Sequence, residues 1–329
     1  MTERSILIAG RDGQLARCLR ELAAARGLPA VALGRQELDL EAREGIDQTI
    51  ASLAPSLIIN AAAYTAVEQA ESDARRAFSI NRDGAAALAD VAWQMNIPFV
   101  HVSTDYVFDG TKLEAYDEAD IPAPINVYGA SKLAGEAAVL AAHPLATVIR
   151  CSWLYSPYGT NFVRTMRRLC ETNPVVRVVQ DQRGNPTSAF DLAAAILQIA
   201  ERSIVDDRRA TAGIFHLAGN GETTWHEFAQ AIFDGLSRRG VQVPVLEAIG
   251  SEEFPTVARR PRNSCLESSK AERVFGVELG SWRHSLEMCL DQLAGQGEND
   301  AEGNSVGRRL RNTAVSDHAR GQQAIAARL

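Results

Sequence analysis

Tyr128 and Lys132 stand four residues apart in Tyr-Gly-Ala-Ser-Lys, a spacing that sets a phenol and an ammonium on one face of a helix. A cation beside a phenol draws its pKa down from about 10 and brings proton transfer closer to neutral pH. The same lysine can hold a ribose. Upstream, Ser103-Thr104-Asp105 closes an apolar run. Hydroxyls beyond the carboxyl end of a parallel strand are placed to hold a carbonyl oxygen. A Tyr-Lys pair at this spacing also arises by chance, so its meaning depends on what surrounds it.

A second constellation lies at the start. Ile6-Leu7-Ile8-Ala9 runs into Gly10-Arg11-Asp12-Gly13-Gln14-Leu15-Ala16, a Gly-x-x-Gly-x-x-Ala turn between a strand and a helix. Such glycines let backbone approach a pyrophosphate, and the helix N-terminus supplies free N–H groups. The second apolar run ends in Gly34-Arg35 where a dinucleotide's adenosine ribose would lie. An arginine there can bind a 2′-phosphate that an acid would repel, which favours NADPH over NADH, with a solvated surface arginine as the alternative. Asp39 and Leu40 could meet the adenine. Asn60-Ala61-Ala62-Ala63-Tyr64-Thr65 ends a third run with small residues, suited to a flat cofactor or to close packing. Gly10, Gly13, Gln14, Leu15, Arg35, Asp39, Leu40, Ala62, Ala63, Tyr64 and Thr65 are thus the cofactor candidates, joined by Tyr128 and Lys132.

The elements that must position these residues follow from periodicity. Apolar runs at 5–9, 30–33, 57–60, 99–103 and 146–151 read as strands. Helical spacing covers 14–25, 45–53, 85–93 and the stretch from Asn126 to about Ala142. Near-continuous apolar strands alternating with amphipathic helices indicate an α/β fold, a Rossmann-type doubly wound parallel sheet covered on both faces. After Cys151, Pro and Gly break the pattern. We therefore expect a dinucleotide-binding domain over 1–150, completed by about 187–218. A smaller mixed α/β substrate-binding region takes 151–186 and 219–294, with a last helix over Trp282–Leu293. The tail over 295–329 has few bulky apolar residues to offset the entropy of ordering, and we expect it to be disordered.

The 329 residues, 46% hydrophobic and 23% charged, can bury a sizeable core. A net charge of -7 argues against a nucleic-acid surface but allows a local basic patch around a small anion. The first residues hold too few apolar positions for a signal-peptide core and no later run reaches membrane-spanning length, so a cytoplasmic protein is expected. Five cysteines without paired spacing suggest neither a disulfide frame nor a zinc site, and no metal is expected.

The ordered set of glycine turn, Asn60-Ala-Ala-Ala, Ser103/Thr104 and Tyr128/Lys132 resembles the extended short-chain dehydrogenase/reductase family. Ser103 to Gly110, Asn126-Val-Tyr-Gly129, Arg150-Cys-Ser-Trp-Leu-Tyr155, Asp181-Gln-Arg-Gly-Asn-Pro-Thr187 and Arg260-Pro-Arg-Asn-Ser264 narrow the likeness to the dTDP-4-dehydrorhamnose reductases, over about Ile6 to Leu293. That resemblance implies NADPH as cofactor, with NADH open, and a dTDP-sugar as substrate. It implies Thr104 as the carbonyl-binding hydroxyl, Tyr128 as proton donor, Lys132 as its electrostatic partner, and Thr104, Asp105 and Trp153 against the sugar. Arg259 and Arg260 are candidates for the substrate pyrophosphate. A homodimer stays open; a metal-linked one is not expected, because Arg17 and Phe190 stand near the places where relatives carry carboxylate ligands. An epimerase or dehydratase of the same scaffold, or a non-catalytic dinucleotide-binding subunit, are the rival readings.

Overall fold

The computed structural model describes residues 5–205 and 208–304. Its centre is a six-stranded, all-parallel sheet. The strands β1 (Ile6–Ala9), β2 (Ala30–Leu33), β3 (Leu57–Asn60), β4 (Phe99–Thr104) and β5 (Thr147–Cys151) enter it in turn. Next comes β6 (Val175–Val179), which pairs elsewhere, and then β7 (Gly213–His216) returns to the sheet edge. The spatial order is β7-β5-β4-β3-β1-β2, so the chain reverses direction across the sheet between β1 and β3. Ligands bind outside the carboxyl ends of strands at such a switch point.

Within β1 the side chains alternate between layers. Ile6 and Ile8 join one core while Leu7 and Ala9 join the other, which is why the strand reads as an unbroken apolar run. The first core holds α1 (Gln14–Ala25) through Leu15, Ala16, Cys18, Leu19 and Ala23. The other face carries α2 (Glu44–Leu53), α3 (Ala85–Gln94) and α4 (Val127–Ala142). Each fully buried Leu or Ile contributes about 1.5–3 kcal/mol of hydrophobic stabilisation.

A separate apolar core builds the second region. It packs α5 (Phe162–Thr172), α7 (Trp225–Arg238) and α8 (Trp282–Asn304), while α6 (Ala189–Val205) lies back against α1. The strand β6 pairs in parallel with β8 (Val245–Ile249) and completes this core. Thr224 starts α7 with a capping box, its hydroxyl accepting from Glu227 N while the Glu227 carboxylate accepts from Thr224 N.

Two features depart from the sequence expectation. A π-helical turn at Ser79–Gly84 joins a short helix to α3, with Gly84 so close to Leu40 that a Cβ would stand 2.4 Å from its carbonyl oxygen. Helix α8 also continues to Asn304, past Gly295, because extending an existing helix costs far less than nucleating one. The rest of the expected tail, 305–329, lies outside the described residues. Among the described residues no helix is long and apolar enough to cross a membrane.

Candidate active site

A cavity of about 450 Å³ opens at the switch point. Asp12, Gly13, Gln14 and Leu15 form one wall of it at the start of α1. Gly13 caps that helix without any side-chain hydrogen bond, so the first N–H groups face the cavity and suit a diphosphate. Gly10 lies just outside, at φ +104°, with the backbone of Ala61 and Ala62 against the place a Cβ would occupy. Its role is to let β1 and β3 come close. Ala61, Ala63 and Thr65 line the wall opposite.

Several cofactor candidates sit elsewhere. Tyr64 turns its ring into a cluster with Ala70 and Ala77. Ala62 donates its N–H to Asn60 Oδ1 and packs into the core, and Leu40 is a core residue. Arg35 lies 56% exposed beyond the cavity and is already ion-paired, with Asp39 at 3.4 Å and with Glu41. Asp39 is therefore a partner of that arginine. The sequence reading missed Arg11, whose guanidinium lies over Gly34 and bonds Glu37 Oε1 at 2.5 Å. The signal was present: a cation follows the first glycine of the turn, and β2 ends in a glycine with room for it.

The catalytic candidates come together on the far wall. Thr104, at the end of β4, bonds Asp105 Oδ1 at 2.9 Å and accepts from Tyr106 N. Tyr128, on the first turn of α4, lines the cavity with Thr104 and meets Tyr106 edge-on at 5.7 Å. The sequence explains this placement. Asn126 caps α4 by accepting from Gly129 N at 2.7 Å, and its amide donates to Arg259 O. Gly129 lets the helix press onto the loop after β4, since a Cβ there would stand 2.0 Å from Tyr106 O.

Electrostatics assigns the protons. Burial raises the Tyr128 pKa, and Cys151 and Asp105 beside it add to the rise, contrary to the lowering expected from a neighbouring ammonium. The phenol holds its proton until a stronger base forms beside it. Lys132 is buried, donates to Val102 O at 2.7 Å and lies 3.4 Å from His101 Nε2. Burial brings its pKa down to about 8. His101 is kept neutral by burial and by Lys132, and Asn60 anchors it at 3.1 Å. Ser103, by contrast, turns its hydroxyl away to Glu136 Oε1 at 2.5 Å. Glu136 in turn holds Arg150 through two bonds of 2.9 and 2.7 Å beneath the site. Cys151 borders the cavity, but burial pushes its thiol up to about 12, which leaves no thiolate for nucleophilic attack.

The remaining wall suits a sugar. Asp105 is buried, and its Oδ2 has no hydrogen-bond partner among the described residues; burial pushes the carboxyl up to about 6. Trp153 sits at φ +45°, an uncommon conformation for a bulky residue. Its ring stacks on Trp225 at 3.6 Å and 10°, and Gly184 leaves the space it occupies. Trp225 also lines the cavity and was not foreseen, since a tryptophan at a helix start carries no distinctive spacing. Arg260 is committed elsewhere, pairing with Glu68 at 3.0 Å, while Arg259 offers its carbonyl to Asn126.

Known proteins are similar to this chain over most of its length. The model for the RmlD substrate binding domain matches residues 4–294. A dTDP-4-dehydrorhamnose reductase of Sinorhizobium fredii is 43% identical over 297 residues, covering 89% of this chain and 99% of that protein. One of Aggregatibacter actinomycetemcomitans is 42% identical, covering 85% and 96%. The crystal structure of dTDP-4-dehydrorhamnose reductase from Bacillus anthracis in complex with NADP superposes with a TM-score of 0.81 at 36% identity, covering 89% of this chain and 100% of that one. The chain belongs to the RmlD substrate binding domain family, that of the dTDP-4-dehydrorhamnose reductases.

Proposed function

We propose that this chain reduces the 4-keto group of dTDP-4-dehydro-L-rhamnose to dTDP-L-rhamnose with NADPH, the last step of dTDP-rhamnose biosynthesis. The carrying observation is the single cavity that joins the open N-terminus of α1 to Thr104, Tyr128 and Lys132 on one side and to Asp105 and Trp153 on the other. The homologues of 35–43% identity are named for this activity, and the Bacillus anthracis relative was solved with NADP.

NADPH, bound along Gly13 to Leu15 and past Ala63 and Thr65, supplies the hydride. Tyr128 directs its hydroxyl at the ketone oxygen, and Thr104 joins it when its proton, which bonds Asp105 Oδ1 in the structure, turns to the substrate, so that negative charge developing there meets two donors. Tyr128, whose pKa burial raises, gives its proton to the oxygen once it becomes basic. Lys132, charged below about pH 8, supports the resulting phenolate and the nicotinamide ribose. Asp105 Oδ2 accepts from a sugar hydroxyl, and the Trp153 face lies against the deoxysugar methyl.

Stoichiometric oxidation of NADPH in the presence of dTDP-4-dehydro-L-rhamnose tests the proposal. An epimerase or dehydratase would recycle its nucleotide, and a binding subunit would consume none. The chain divides into a cofactor unit around the six-stranded sheet and a substrate unit around the second core. It acts in the cytoplasm, and hydrodynamic measurement tests whether it does so as a homodimer.

A further inference from the structure

We infer that Asn60 and His101 are positioning residues for the proton-transfer pair: Asn60 locks the His101 ring so that its Nε2–H faces Lys132 Nζ, which readies the ammonium to give up its proton. The role deepens the reductase reading above and rests on it.

The sheet brings the two residues together. Asn60 ends β3 opposite His101 of β4 in the parallel register, and both are fully buried. Val100 and Val102 turn to the core around α1, so His101 alternates to the face that carries α4 and Lys132. Hydrogen bonding then fixes the imidazole tautomer. The backbone N–H of Ala62 can only donate, and it takes Asn60 Oδ1 as its acceptor at 3.2 Å. That leaves Asn60 Nδ2, also a donor only, against His101 Nδ1 at 3.1 Å. Nδ1 must therefore accept. A neutral imidazole that accepts at Nδ1 carries its proton on Nε2, here 3.4 Å from Lys132 Nζ.

An N–H facing an ammonium sets donor against donor. The opposition vanishes when Lys132 becomes an amine, whose lone pair accepts from Nε2–H. The titratable groups packed around Lys132 are Tyr128 and Glu136 on α4, His101 on β4 and Cys151 on β5. Glu136 is the one carboxylate of this set, and Arg150 already holds it through two bonds while Ser103 donates to it as well. Cys151 is kept as a thiol by burial. Among the described residues the acceptor that Lys132 bonds is Val102 O. The imidazole donor thus acts on an ammonium that has no carboxylate of its own. Once Tyr128 has given its proton to the substrate oxygen, Lys132 replaces it on the phenolate, and the amine left behind accepts from His101. Solvent reaching the cavity then returns a proton to the amine.

The test is nitrogen NMR of the full chain labelled at histidine or at lysine, which holds only six histidines and three lysines. Signals are assigned by their loss in His101→Gln and Lys132→Arg. In the wild type His101 should show a protonated Nε2 and a bare Nδ1 throughout the neutral range. A protonated Nδ1 overturns the inference before any further variant is made. Asn60→Asp keeps the acceptor for Ala62 N and offers His101 Nδ1 a carboxylate, which draws the ring proton to Nδ1 and turns a bare Nε2 to the ammonium. Lys132, titrating at about 8 in the wild type, should then titrate about one to two pH units higher, the tenfold to hundredfold expected when an acceptor replaces a donor beside a charge. The alkaline limb of kcat/KM should move with it. An unmoved Lys132 overturns the inference, and so does a rise with the proton still on Nε2, which reports the added charge alone. The spectra need no turnover, so failure of the wild type to consume NADPH strikes the reductase reading, while the tautomer and the lysine titration still decide what His101 does to Lys132.

Discussion

Gly129→Ala isolates the contact that places the proton donor. A Cβ at this position would stand 2.0 Å from Tyr106 O and 3.1 Å from the Pro124 side chain. Ordinary contact begins at 3.4 Å, so relieving the first overlap requires a shift of about 1.4 Å, the difference between 3.4 and 2.0. Backbone opposes backbone here, which leaves α4 to move away from the loop after β4 and carry Tyr128 from Thr104. A misplacement of about 1 Å can cost about a hundredfold in rate, so kcat should fall by about that factor. Stability should fall as well, by no more than about 3 kcal/mol. Overpacking costs about 1–3 kcal/mol, and the better helix propensity of alanine returns up to about 1. The assay is NADPH oxidation at saturating substrate, paired with thermal unfolding. A folded variant with wild-type kcat would refute the argument that this glycine sets the donor's position.

Tyr128→Phe should abolish most turnover with NADPH affinity nearly unchanged, as turnover assays and cofactor titration would show, because the phenol acts on the substrate oxygen; wild-type turnover would remove that assignment. Lys132→Ala should lower both turnover and NADPH affinity, and an unaltered Kd for NADPH would exclude a contact to the ribose. The pH profile of kcat/KM should be bell-shaped. On the acid side it falls below about pH 6, where Asp105 takes up a proton and loses its charge; on the alkaline side it falls above about pH 8, where Lys132 loses its ammonium. An Asp105→Asn variant that keeps the acid limb would disprove the first attribution. NADPH should be preferred over NADH, and Arg35→Ala should narrow the preference by less than about tenfold, since Asp39 and Glu41 already share that guanidinium. Arg11→Ala should narrow it too, and equal titration curves for both cofactors in wild type would refute both.

Local sequence determined the sheet, the glycine turn and the order of the catalytic motifs. Strands such as Ile6–Ala9 and Leu57–Asn60 are legible because burial on both faces demands apolar residues without interruption. Tyr128 and Lys132 share a helix face by spacing alone. Tertiary structure decided everything that depends on a partner distant in the chain. Glu41 stands beside Arg35 and shares its guanidinium, and the hydroxyl of Ser103 was claimed by Glu136, 33 residues later. The direction of the Tyr128 shift came from burial, which a single sequence does not state, and Trp225 joined the cavity only because α7 packs its first residue onto Trp153. Spacing along a chain fixes which side chains share a face, whereas solvent exclusion and competition between charges exist only once the faces have met.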